Sequence, residues 1–377
     1  MEMRPRVPGE TMPRRAFLQS SVLALVASTG FRACGSPSQR NDSIRDVPWL
    51  GELEQRGGAL PEGTPPLHPL LTDSSGQPIT SRSAWERHRE ELRAVWLDYL
   101  GPLPPNSNPP RLEVLEEDRP DGVIRQLVAY EGEPGITVQG YLLRPAEVRD
   151  RRPAVLALHS TVNETIRQPA GVEGAPEKAF ALDLARQGFV AFCPMCFLWH
   201  DRGERSYEEQ TERFMQRYPG STGMAKMLFD AQRGLDVLES LGDVDPNRIG
   251  IIGHSLGGKE VLYLAAFDSR VRAVVSSEGG IGTGHSNWDA PWYLGEGMRA
   301  FGREHHELLG LIAPRPFLLV GGNSADGEHS LPFIEAALPV YDLYGKPHRV
   351  GLLNHRQGHS MPPIAQQRSY EWLKTYV

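Results

Sequence analysis

The chain's tightest constraint is one short passage. The apolar run Arg248-Ile249-Gly250-Ile251-Ile252 leads into Gly253-His254-Ser255-Leu256-Gly257-Gly258, and Lys259-Glu260-Val261-Leu262-Tyr263-Leu264-Ala265-Ala266 follows. A buried strand, G-x-S-x-G and a helix form the setting in which this motif makes a nucleophile elbow. A turn that sharp leaves little room beside the serine, which explains the flanking glycines. It also lifts the Ser255 hydroxyl to a helix N-terminus, where backbone N–H groups face incoming negative charge.

The rest of the chain agrees with one large α/β core. Residues 42–81 are rich in Pro, Gly and Ser and read as an irregular arm. Ser83-Ala84-Trp85-Glu86 has capping-box spacing and opens a helix to about Leu100, stopped by Gly101. Trp85, Leu92, Val95, Trp96 and Tyr99 fall near one face of that helix. From Val123 onward, strands alternate with helices. Ile124 to Tyr130 and Thr137 to Leu143 read as an antiparallel pair. Ala154 to Leu158, Phe189 to Phe192, Ile249 to Ile252, Val271 to Val275, Phe317 to Val320 and His348 to Leu353 read as further strands. Helices are expected at Glu177 to Gln187, Met224 to Leu241 and in the closing stretch Tyr370 to Val377. The pattern predicts a mostly parallel central sheet flanked by helices, preceded by an N-terminal helical arm. The expected divisions are a targeting segment over 1–40, an arm over 41–118 and a catalytic domain over 119–377. Active sites in such sheets sit at the strands' carboxyl ends. The long stretches after Phe192 and Ser277 are therefore expected to wall a pocket.

The N-terminus reads as a signal for export. Arg14 and Arg15 precede the apolar run Val22 to Ala27, and no Asp or Glu occurs from Thr11 to Asn41. This fits a cleaved signal of the twin-arginine type, and hence a periplasmic or extracellular protein. Cys34 is a candidate lipid-anchor site. With a net charge of −7 and no Lys/Arg stripe, nucleic acid is not an expected partner. No run beyond the N-terminus is apolar enough to span a membrane. Cys193 and Cys196 have redox spacing, but zinc would need further ligands and only His200 is near. They read as buried thiols, with a disulfide as the alternative. No metal or organic cofactor is implied.

A serine hydroxyl needs a base, and the base needs an orienting acid. In this arrangement the chain order is serine, acid, histidine. His359, in Asn354-His355-Arg356-Gln357-Gly358-His359-Ser360, follows the last strand and precedes the last helix, and is preferred to His355 as base. Two carboxylates qualify as acid. Asp326 lies just beyond the strand ending at Val320, and Glu278 at the end of the preceding strand. The oxyanion hole is expected to use the Leu256 N–H and one from the loop His159-Ser160-Thr161, with Thr161 preferred. Lys259 stands in the first turn of the elbow helix, where the macrodipole disfavours a cation, so it should have a compensating partner such as a substrate sugar or Glu278. Trp288 and Trp292 after Glu278 suit sugar stacking. Trp199-His200 and 202–205 are expected along the other wall, with Arg205 as an ion-pair partner, and His159 is expected to contact substrate.

On these residues the chain resembles the α/β-hydrolase superfamily, in particular its dienelactone-hydrolase and acetyl-xylan-esterase-like branch, over residues 123–377. The resemblance rests on Gly-His-Ser-Leu-Gly-Gly at 253–258, on Ile312-Ala313-Pro314-Arg315-Pro316 before the strand leading to Asp326, and on Gly358-His359-Ser360. The chain is also similar to the glucuronoyl esterases, which place Lys four residues after the nucleophile and often carry the acid as Glu after the following strand. Lys259 and Glu278 match those positions, and His306-Glu307-Leu308-Leu309 is similar as well. One departure is Leu256, where that family typically has Arg. The resemblance implies a serine esterase acting on a small-molecule or oligosaccharide ester, and the N-terminal segment adds the expectation of export. An acetylated xylan fragment and a glucuronoyl ester are the two substrate readings. A catalytically silent sugar-binding relative is the reading from another class.

Overall fold

The computed structural model describes residues 45–105, 109–147, 150–200 and 205–377. The expected signal segment, Cys34 and residues 202–204 lie outside the described residues. Nine strands form one sheet: β1 (Glu113–Asp118), β2 (Val123–Glu133), β3 (Ile136–Pro145), β4 (Arg152–Leu158), β5 (Val190–Pro194), β6 (Val244–His254), β7 (Val271–Ser277), β8 (Phe317–Gly321) and β9 (Val350–Asn354). Their order is β1-β2-β3-β5-β4-β6-β7-β8-β9. The first three pair antiparallel, β3 also meets β5 antiparallel, and every later pairing is parallel. The connecting helices are α1 (Arg82–Leu100), α2 (Phe180–Arg186), α3 (Tyr207–Arg217), α4 (Gly223–Ser240), α5 (Leu256–Phe267), α6 (Met298–Phe301), α7 (His306–Ile312), α8 (Leu331–Asp342) and α9 (Pro363–Tyr376).

The central strands are apolar at successive positions because both faces are covered. In β4, Leu156 and Leu158 join the cluster of α1, α4, α5, α7 and α8, while Val155 and Ala157 join that of α2 and α9. The arm is held to the sheet at its far edge. Glu54 exchanges backbone hydrogen bonds with Leu352 of β9 at 3.0 and 2.8 Å, and Trp49 packs on Trp372 of α9 at 5.8 Å between ring centroids.

Two local expectations need correction, and the reading of Cys193 and Cys196 as buried thiols holds. Helix α1 is capped by Ser81, whose side chain accepts from the Ala84 N–H, so it begins at Arg82 rather than at a Ser83 cap. Val95 faces solvent at 36% exposure, while Leu100 joins Trp85, Leu92 and Trp96 in the buried stripe. Cys193 and Cys196 are free, buried thiols, and burial raises both.

Candidate active site

The elbow's glycines are dictated by close packing. A Cβ on Gly253 would stand 2.2 Å from the Gly257 carbonyl oxygen, and one on Gly257 would stand 2.2 Å from that of Leu158. Ser255 itself has φ 59° and ψ −115°, a left-handed backbone that a side chain rarely adopts. Its N–H donates to the Ser277 carbonyl at 2.8 Å, and its own carbonyl accepts the first helical hydrogen bond, from Lys259 N at 3.1 Å. The nucleophile candidate thus sits between β6 and α5, pinned to the end of β7.

Across from it stands the carboxylate of Glu278, directly after β7. Glu278 is buried and also has positive φ, at 51°. Oε2 accepts from Ala325 N (2.7 Å) and Asp326 N (3.2 Å), while Oε1 accepts from Gly322 N. Oε2 also lies 3.4 Å from Nδ1 of His359. The His359 loop is fastened to the same turn, since Gly358 N donates to Gly322 O at 2.9 Å. His355 turns its Nδ1 to the Gln357 N–H at 3.1 Å.

Asp326 is buried as deeply but faces elsewhere. Its Oδ2 accepts from Gly280 N (2.7 Å), and Oδ1 from Ile281 N and the Ser330 hydroxyl (both 2.9 Å). Burial raises its pKa, and these backbone donors oppose the rise. The expected acid position therefore holds a carboxylate that ties two loops together, while the carboxylate meeting His359 is Glu278.

The loop after β4 is clamped to the elbow. The Ser160 hydroxyl donates to the His254 carbonyl at 3.1 Å. His159 Nε2 accepts from Cys196 N (3.1 Å), so Nδ1 carries the proton and donates to Ser160 O (2.8 Å). Burial depresses this imidazole to about 4, so it is neutral, buried and fully engaged. His159 is thus a loop brace, not the substrate contact expected of it. Thr161, next along, is exposed, and Leu256 N opens α5 among the amides that have no intrahelical partner.

Lys259 is the most unusual charge in the site. It is 4% exposed. Its Nζ donates to the Ser286 hydroxyl at 2.5 Å and lies 3.9 Å from the Trp288 ring centroid and 5.1 Å from that of Tyr293. Burial lowers it to about 7, opposed by the charge of Asp326. Its partners are thus a hydroxyl and two aromatic faces, not Glu278. Trp288 itself is fully buried, with its indole N–H donating to Gly280 O at 2.7 Å. It forms the floor under Lys259 and offers no stacking face. Trp292 is half-buried and packs edge-on against Tyr207 at 5.7 Å. Ser286, absent from the sequence expectations, lines a cleft of about 380 Å³ together with Thr283, Asp289, Arg299 and Glu62 of the arm.

A further chain of contacts runs behind the site. His254 Nδ1 lies 2.9 Å from Ser277 Oγ, and that hydroxyl donates to Met361 Sδ at 3.0 Å. A thioether only accepts, so the serine oxygen receives the His254 Nδ1–H. The His254 ring also meets the His359 ring, with centroids 4.8 Å apart.

Sheet order, elbow and helix layers leave one architecture. The fold is the α/β-hydrolase fold. Residues 138–288 match the dienelactone hydrolase family, a span from β3 through Ser255 and Glu278 that stops short of His359. The chain is 29% identical over 199 residues to YtaP of Bacillus subtilis (strain 168), which carries the name of a hydrolase, covering 50% of this chain and 63% of YtaP. It thus spans less than two thirds of that relative. It is 23% identical over 353 residues to the 4-O-methyl-glucuronoyl methylesterase of Phanerochaete carnosa (strain HHB-10118-sp), covering 80% of this chain and 79% of that protein. Among solved structures, the glucuronoyl esterase from Solibacter usitatus superposes with a TM-score of 0.66 at 19% identity, over 83% of this chain and 99% of its own.

Proposed function

We propose that this protein is a serine carboxylic-ester hydrolase whose substrate is the ester of a sugar acid, with a glucuronoyl ester the best-supported case. The observation that carries the reading is the pairing of His359 Nδ1 with the buried Glu278 Oε2 at 3.4 Å, one strand tip away from the Ser255 elbow. Ser255 Oγ attacks the ester carbonyl, and His359 takes its proton and returns it to the leaving alcohol. Glu278 holds the imidazole with Nδ1–H toward itself and balances the imidazolium that forms. The Leu256 N–H, with Thr161 N–H as second donor, faces the oxyanion. Water then releases the acid from the acyl-enzyme by the same route in reverse.

Two features support a sugar acid over an acetyl group. Lys259 carries N–H groups beyond the one given to Ser286, on the first turn of the nucleophile's own helix, where they suit the hydroxyls of a uronate ring. The relative aligned over 80% of this chain is named for a glucuronoyl ester. Export, by the twin-arginine route, belongs to the same proposal and is motivated by Arg14, Arg15 and the apolar run that follows. Among the described residues, no helix is long and apolar enough to cross a membrane.

The test is a panel assay with wild type and Ser255→Ala. Wild type should cleave p-nitrophenyl acetate and the benzyl ester of glucuronic acid, the second with the higher kcat/KM, and Ser255→Ala should cleave neither. Equal rates for the two proteins would remove the serine mechanism. Cleavage of acetylated xylo-oligosaccharides alone would replace the uronate by an acetyl substrate.

A further inference from the structure

Resting on the triad proposed above, we propose that His254 is a positioning residue. It locks the three reacting groups to one another through Ser277 and Met361 and holds the His359 ring by direct contact. The chain His254 Nδ1–H to Ser277 Oγ, then Ser277 O–H to Met361 Sδ, joins three residues that have no chemistry of their own here. Each is nonetheless next to a reacting one. His254 precedes Ser255, Ser277 precedes Glu278, and Met361 lies two residues beyond His359. All three are fully buried. The ring that His254 meets belongs to His359, whose side chain is 41% exposed and sits on a loop. Of the three reacting groups it has the most freedom to drift.

The cost of having a histidine at 254 argues that it is kept for this contact. Its Nε2 is buried without a hydrogen-bond partner, which costs about 1–3 kcal/mol relative to an apolar ring of similar shape. Burial, reinforced by Lys178, His359 and His355, keeps the imidazole well below its usual pKa and therefore neutral. A neutral ring can lie against His359 in either charge state of the base without repelling it. Phenylalanine would fill the same space without the bare nitrogen, but it could not donate to Ser277. A fault of about 1 Å in the base's placement can cost on the order of 10²-fold in rate.

The experiment compares kcat and KM for p-nitrophenyl acetate in His254→Phe, His254→Asn, Ser277→Ala and the double variant His254→Phe/Ser277→Ala, with thermal unfolding of each. The rate at which a phosphonate ester labels Ser255 serves as a second readout. His254→Phe should lower kcat and the labelling rate about 10- to 100-fold while KM stays near wild type and the melting temperature does not fall. His254→Asn, whose amide N–H takes the place of Nδ1–H, should recover part of the loss. Ser277→Ala should match His254→Phe, and the double variant should be no worse than either, as expected for links in one chain. An active wild type with His254→Phe within about twofold of it, or a loss that follows the melting temperature with no rescue by Asn, overturns the positioning role. A wild type inert to both reagents overturns the triad itself and this inference with it.

Discussion

Glu278 and Asp326 are two buried carboxylates at neighbouring strand tips, and they are spent differently. Each accepts hydrogen bonds from backbone amides of the facing loop: Glu278 reaches across to Gly322, Ala325 and Asp326, and Asp326 reaches back to Gly280 and Ile281. The exchange staples the loop after β7 to the loop after β8. Asp326 completes its shell with the Ser330 hydroxyl, whereas Glu278 keeps Oε2 facing His359. A carboxylate's place along the chain thus says less about its role than which side chain its oxygens meet once the loops have fixed them.

Substitution separates the two carboxylates. Glu278→Gln should have the largest effect, a fall in kcat on the order of 10⁴-fold, as when a catalytic histidine loses its orienting carboxylate; steady-state kinetics would check it. Near-normal turnover in Glu278→Gln together with a collapse in Asp326→Asn would reverse the assignment. Otherwise Asp326→Asn should keep kcat within about tenfold of wild type. It should lose about 1–3 kcal/mol of stability, because an amide NH₂ must now face a backbone donor; denaturant titration measures that loss.

The smallest effect sharpens the comparison through Lys259. Folded, this lysine releases its proton near 7, against an ordinary value of 10.5. Between those values the unfolded chain binds more protons than the folded one, so stability should rise with pH across that window. Below about 7 both forms are protonated, and the full cost of burying the cation remains. Unfolding curves of Lys259→Met should lack the rise. In Asp326→Asn, which loses the charge that favours the ammonium, the rise should begin at lower pH than in wild type. A wild-type profile parallel to that of Lys259→Met from 7 to 10.5 would mean that the lysine is not held as described.

Much of this architecture was legible in the chain because it rests on local pattern. The runs at 154–158, 249–252 and 273–275 are apolar because both sheet faces are covered, and the elbow glycines are needed wherever that turn occurs. Elements without such a pattern escaped. β1 has all six residues exposed, so nothing alternates. Helix α8 carries Pro339 in its interior, and its N-cap residue Ser330 makes no side-chain capping hydrogen bond. At the candidate site, the position of His359 between the last strand and the last helix singled it out as the candidate base. The partner of Lys259 was not, because Ser286, Trp288 and Tyr293 arrive from a loop some thirty residues on. Trp288 shows the same limit, since an indole that stacks on sugar and one that floors a buried cation read alike. His254 could have been noticed as a polar residue ending an apolar strand, but its link to Met361 exists only in the fold.

The left-handed backbone at Ser255 has a consequence for the evolution of this chain. A residue held at φ 59° and ψ −115° raises the energy of the native state by about 1–3 kcal/mol, and the packing of β4, β6 and α5 must absorb that. Drift toward greater robustness would relax this turn first, and in doing so would discard the proposed reaction. Durability and chemistry are therefore opposed at a single peptide unit, and a descendant that has lost its activity could be the hardier protein.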